Sequence, residues 1–145
     1  MYKKITKNLK IYSNNKRLLN LVYKILIFFK DNYLELYQKI ENKAIYIENL
    51  PISRIKELKK QYFGIYVSTD TVTLVYEDSV FIFICLNIIY NNSRKYKISY
   101  KEEIFRVLIH SLLHAINFKE SDEMFNLQEE ILNKLKKSNK LKNIS

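Results

Sequence analysis

Residues 99–116, SYKEEIFRVLIHSLLHAI, decide how the rest of the chain must be arranged. Ile104, Phe105, Val107, Leu108, Ile109, Leu112, Leu113 and Ile116 surround most of the circumference of a helix drawn through them. A helix that is apolar on nearly every side belongs in the middle of a domain, with other elements packed around it. Ser99 followed three positions later by Glu102 has capping-box spacing, and Glu102 and Glu103 suit the positive end of the helix dipole. Asn117 stands just past the last periodic residue, and Asn tolerates the left-handed conformation by which helices stop.

Working outward, a last helix starts at Ser121 and carries Met124, Leu127, Gln128, Ile131, Leu132 and Leu135 along one side. Upstream, VFIFICL (80–86) is continuously apolar, the pattern of a strand covered on both faces. TDTVTLVYED (69–78) is β-branched and alternating, as a half-buried strand should be. NIIYNNSRKYK (87–97) reads as a further helix. After Pro51, Ile52, Ile55, Leu58 and Tyr62 share one helical face that Gly64 terminates. AIYIE (44–48) and LKIYSNN (9–15) are short strands, and residues 15–31 form an amphipathic helix built on Leu18, Val22, Ile25 and Phe29. The expected fold class is α+β: a single compact domain over residues 1–137, with a small mixed β-sheet packed with helices around the central one. Residues 138–145 read as a basic, frayed C-terminal tail.

The chain has 145 residues, one Gly, one Pro and one Cys, so no Gly/Ser linker or internal disulfide is available to it. No apolar run approaches the roughly 20 residues that a membrane-spanning helix requires, and the first residues lack the apolar core of a secretory signal. A soluble, cytoplasmic protein is expected, with no membrane partner and no small-molecule cofactor. The net charge of +10 points to a polyanionic partner such as nucleic acid. Lys, Asn, Ile and Tyr are favoured by A/T-rich codons, so part of this charge is codon bias. The same applies to Tyr62, Tyr66 and Tyr96 as candidates for base stacking.

Both histidines of the chain lie in HSLLHAINFKE (110–120). Four residues apart on a helix, His110 and His114 project from one face. A turn at Asn117 brings Glu120 back toward them, and two His with one Glu make a zinc set that leaves a position for water. The spacing is equally that of two histidines satisfied by packing and backbone partners. Ser111 stands where a zinc peptidase with the HExxH motif would carry its glutamate base, so peptidase chemistry is disfavoured. Arg106, one turn before His110, is placed either to touch phosphate or to pair with Glu102. Thr69 and Asp70 read as caps at a strand edge, and Cys85 as inert core.

The wider stretch 102–132, EEIFRVLIHSLLHAINFKESDEMFNLQEEIL, resembles the signature region of the YbeY family of metal-dependent endoribonucleases and rRNA maturation factors. In that pattern a helix ends in His-Gly-x-Leu-His, a short turn carries a further histidine, and an acidic helix start contains EEM. His110, Leu113 and His114 match, and DEMFNLQEEIL (122–132) matches in character. LKKQYFGIYVSTDTVTL (58–74) is similar to the segment upstream, with Leu58, Tyr62, Thr69 and Asp70 keeping its skeleton. The resemblance runs from Leu58 to Leu135 and departs at four points. Glu120 replaces the third histidine, and Asn117 replaces a turn glycine. Phe63 stands where an arginine invoked in RNA cleavage is usual, and Val80 and Phe81 replace a Gly-Asp pair.

The resemblance implies a zinc-dependent single-strand endoribonuclease with one ion held by His110, His114 and Glu120. His114 would be central to catalysis, with Asp122 and Glu123 as fallback ligands; Arg106, from its place one turn before His110, is the RNA-contact candidate. It also implies rRNA and the ribosomal small subunit as partners, in rRNA maturation and ribosome quality control. The alternative is a non-catalytic, ribosome-associated RNA-binding factor with a degenerate or structural metal site, for which the losses at Phe63 and Phe81 argue. A third reading keeps both histidines as core residues of a degenerate family member.

Overall fold

A computed structural model describes residues 1–138. In chain order the elements are β1 (Tyr2–Ile5), β2 (Lys10–Ser13), α1 (Lys16–Asn32), α2 (Leu34–Ile40), β3 (Ala44–Asn49), α3 (Ile52–Phe63), β4 (Thr71–Val75), β5 (Ser79–Ile84), α4 (Leu86–Tyr96), α5 (Tyr100–Ala115) and α6 (Asp122–Lys137). The strands form one mixed sheet in the order β1-β2-β3-β5-β4. β2, β3 and β5 run parallel, and the two outer strands pair antiparallel to their neighbours. The α+β expectation holds. From residue 139 onward the expected tail lies outside the described residues.

α1, α5 and α6 each begin where the side chain of the N-cap residue satisfies one of the first free N–H groups. Asn15 Oδ1 accepts from Leu18 N–H at 3.0 Å to start α1. Ser99 Oγ accepts from Glu102 N–H at 3.0 Å to start α5, and Ser121 Oγ from Met124 N–H at 3.1 Å to start α6. The Glu102 carboxylate turns to Lys136 and Arg106, so the box at Ser99 serves as a one-way cap. Gly64 closes α3 with φ +76°. Asn117 follows α5 with φ +72°, the left-handed geometry that lets the chain reverse within a few residues.

The main core lies between the sheet and one helical layer. Ile11, Ile45, Ile47, Val80, Ile82 and Ile84 meet α1, α2, α5 and α6 there. α5 is its centre: Ile104, Phe105, Leu108, Ile109, Leu112 and Leu113 are all buried. α3 covers the opposite face only beside β4, where Ile55, Val72 and Cys85 form a smaller core.

The reading of 80–86 as a strand covered on both faces needs correcting at its end and on its outer face: β5 stops at Ile84, and Leu86 opens α4. β5 alternates, with Val80, Ile82 and Ile84 buried and Phe81 and Phe83 half-buried on the other side. On that side Phe83 packs against the small core under α3, and the rest of the face is covered by a row of aromatic rings. Tyr12 stacks on Tyr46 at 4.9 Å, Tyr46 on Phe81 at 4.7 Å, and Phe81 on Phe83 at 6.4 Å. The strand register places Tyr12, Tyr46 and Phe81 directly opposite one another, so each ring meets the next across adjacent strands.

Candidate metal centre

α5 delivers His110 and His114 from one face near its C-terminal end, and the reversal at Asn117 returns Glu120 to them. The ligand atoms of the three residues lie within 4.8 Å of one another, the one such group of three among the described residues. Glu120 Oε1 is 3.0 Å from His110 Nε2 and 2.8 Å from His114 Nε2. The imidazoles meet edge to face, with ring centres 4.6 Å apart.

The second nitrogen of each ring determines what the first can do. His114 Nδ1 is 3.0 Å from the Phe118 backbone carbonyl, which can only accept, so Nδ1 carries the hydrogen. His110 Nδ1 is 2.7 Å from Gln128 Oε1. The Gln128 amide is oriented by its Nε2–H, which donates to Glu129 Oε2 at 3.1 Å, so its oxygen faces His110. Both neutral rings therefore carry hydrogen on Nδ1 and a lone pair on Nε2. Two lone pairs and a carboxylate oxygen then converge with no hydrogen between them. Such a set is stable only around a cation or around added protons. Its donor chemistry fits a divalent metal with two nitrogen ligands and one oxygen ligand.

Contact with the two rings holds the Glu120 carboxyl below its ordinary value. When added protons rather than a cation sit between these atoms, the hydrogen bond donated by His114 Nε2–H contributes most, the charge of His110 adds to it, and partial burial opposes both. Asp70 shifts the other way: burial pushes its carboxyl up, only partly offset by His110 and by the backbone N–H groups of Asp70 and Thr71. Asp70 is tied in through its carbonyl, which accepts from Cys85 N–H at 2.9 Å. Next to it, Thr71 donates to Ser111 Oγ at 2.9 Å, and that hydroxyl donates to the Val107 carbonyl at 2.9 Å. This chain pins the start of β4 to α5.

The three ligand candidates stand at the head of a groove of about 530 Å³, with Thr69, Asp70, Thr71 and Thr73 on the β4 side and Lys59 and Phe63 on the α3 side. Thr69 and Asp70, expected as strand caps, line the groove. Arg106 is drawn inward by three carboxylates: Glu103 at 2.8 Å, Glu129 at 3.1 Å and Glu102 at 3.7 Å. The expected ion pair with Glu102 is present, and an RNA phosphate would have to displace these partners to reach Arg106. Asp122 and Glu123, the fallback ligands, occupy the first turn of α6 outside the converging group. Sequence reading missed Gln128, Phe118 and Lys59. Gln128 had looked like one more residue on the inner side of α6, a backbone carbonyl leaves no trace in sequence, and Lys59 was one lysine among many.

The family model described as endoribonuclease YbeY matches residues 2–136. An endoribonuclease YbeY of Thermosipho melanesiensis is 31% identical over 100 residues, covering 63% of this chain and 72% of that protein. One of Thermotoga maritima is 30% identical over 117 residues, covering 73% and 77%. A solution structure of a Thermotoga maritima protein superposes with a TM-score of 0.61 at 25% identity, over 87% of each chain.

Two predictions follow from this geometry. Gln128→Leu removes the acceptor that fixes the His110 tautomer, and should weaken zinc binding about 10–100-fold in a chelator competition assay; unchanged affinity would refute the tautomer argument. For Asp70 the folded state holds its proton above the unfolded value, so ionisation costs stability as pH rises through that window. Asp70→Asn should therefore be the more stable protein to denaturant at pH 7 without metal. The difference should vanish below the ordinary aspartate value of about 3.9. A wild type as stable as the variant at pH 7 would contradict it.

Proposed function

This chain belongs to the endoribonuclease YbeY family, and from that premise we propose that it is a zinc-dependent endoribonuclease cutting single-stranded RNA. The observation that carries the reading is the convergence of His110 Nε2, His114 Nε2 and Glu120 Oε1 at the head of an open groove. Those three atoms would hold one zinc ion. When bound, such an ion supplies a Lewis acid for a phosphoryl oxygen and a water acidified toward neutral pH.

The protein's own residues set the conditions for that chemistry. Gln128 and the Phe118 carbonyl keep both imidazoles in the tautomer that presents Nε2. Glu120 brings a negative charge where the family pattern has a neutral ring, which lowers the positive charge of the centre by one unit. The threonine hydroxyls and Lys59 give the groove polar walls on either side of an entering strand. Ribosomal RNA, the small subunit as partner, a role in rRNA maturation and ribosome quality control, and a cytoplasmic setting complete the proposal. They are supported by the sequence resemblance and by the net charge of +10. No helix among the described residues is long and apolar enough to cross a membrane.

A second reading, a non-catalytic ribosome-associated RNA-binding factor, draws on two positions. Phe63 occupies the groove where the family pattern has an arginine, and Phe81 is stacked between Tyr46 and Phe83 where it has an acid.

The two separate on RNA cleavage by purified, zinc-loaded protein. The nuclease reading expects single-stranded RNA to be cut. It also expects His114→Ala and Glu120→Ala to lose more than the roughly 10–100-fold typical of an outer-shell change. Cleavage that persists in His114→Ala would place the activity elsewhere, and a Glu120→Ala protein that binds zinc and cuts RNA normally would remove Glu120 from the ligand set.

A further inference from the structure

Residues 61–68, at the end of α3 and just beyond it, are all exposed. Five of them are large and apolar: Tyr62, Phe63, Ile65, Tyr66 and Val67, each between 44% and 56% exposed. An unbroken apolar run on a surface marks a contact site more often than chance. This one borders the groove, because Phe63 is part of the groove wall. Gly64, with φ +76° and open space where a side chain would be, turns the chain between Phe63 and Ile65 without a side chain of its own to cover them.

Cations lie over these rings. Lys59 Nζ is 4.4 Å from the centre of the Phe63 ring and Lys56 Nζ is 5.6 Å from that of Tyr66. Lys59 is also the one lysine or arginine side chain lining the groove, and no carboxylate pairs with it among the described residues. Aromatic faces interleaved with positive charge are what a single strand needs: rings for unpaired bases and ammonium groups for the phosphates between them. A duplex keeps its bases stacked on one another and cannot use the rings. A protein partner fits less well, since lysine is depleted at the centres of protein interfaces. A second copy of this +10 chain would bring like charges together.

We propose that the rim formed by the end of α3 and residues 64–67 holds single-stranded RNA across the groove, with Phe63 and Tyr66 stacking on unpaired bases and Lys59 contacting a phosphate. The proposal deepens the nuclease reading and rests on it for the identity of the bound strand. It also gives the groove that holds Glu120 a positive charge of its own, from Lys59.

The test is fluorescence anisotropy of a labelled single-stranded RNA and of the matching duplex, with chelator present so that the RNA stays intact. Phe63→Ala and Tyr66→Ala should each weaken single-strand binding about tenfold and leave duplex binding unchanged. Phe63→Trp should restore it. Lys59→Gln should lower the slope of log affinity against log salt by about 0.7, the value for one phosphate contact on a single strand. Alanine variants that bind the single strand like wild type, or that lose single strand and duplex alike, would overturn the proposal. If zinc-loaded wild type cuts no RNA while the rim variants still lose single-strand affinity, the nuclease reading falls and the rim assignment stands. If cutting is normal and the rim variants bind normally, the rim assignment alone falls.

Discussion

Two imidazole lone pairs and a carboxylate oxygen meet at one point, and much of the fold can be understood as the apparatus that keeps them there. Left to themselves they would turn apart. Three separate parts of the chain prevent this. α5, buried among the sheet and the other helices, fixes the backbone beneath both histidines. The positive φ at Asn117 folds the following segment back, which sets the Phe118 carbonyl against His114 and Glu120 against both rings. α6 contributes Gln128, itself oriented by Glu129, which is in turn held by Arg106. A chain of polar contacts therefore runs from a half-buried ion-pair cluster to the Nδ1 of His110.

This arrangement clarifies why Arg106 and Lys59 have different work to do. Both are cations within reach of the same region. Arg106 has three carboxylate partners and acts inside the protein, holding α6 to α5. Lys59 has an aromatic ring beneath it and the groove in front of it. A guanidinium suits the first task, because its planar fork satisfies several carboxylate oxygens at once. Across the sheet, Phe81 shows the same local logic: the ring completes a stack with Tyr46 and Phe83 that a buried carboxylate could not join.

What was legible in the sequence was whatever carries periodicity or a cap. The all-round apolar character of α5, the cap at Ser99, the start of a last helix at Ser121, the stop at Gly64 and the turn at Asn117 could all be read directly. They sufficed to bring His110, His114 and Glu120 together on paper. β1 escaped notice because YKKI is an exposed edge strand with no alternation of burial to betray it. α2 escaped because seven residues after a one-residue break are too few to establish a period. β5 looked covered on both faces because aromatic stacking within one sheet leaves the same apolar signature as a second layer. The supports of the candidate metal centre were invisible for a different reason: they are a backbone carbonyl and an amide whose roles depend on side-chain directions in three dimensions.

The central claim is that this chain holds one metal ion through two imidazole nitrogens and one carboxylate oxygen. X-ray absorption spectroscopy of the zinc-loaded protein tests it most directly. The expected result is one zinc per chain with nitrogen and oxygen neighbours at about 2.0–2.2 Å, two of them showing the outer-shell scattering of imidazole, and that signature lost in His110→Ala. A zinc shell containing sulfur at about 2.3 Å, or one without imidazole scattering, would contradict it.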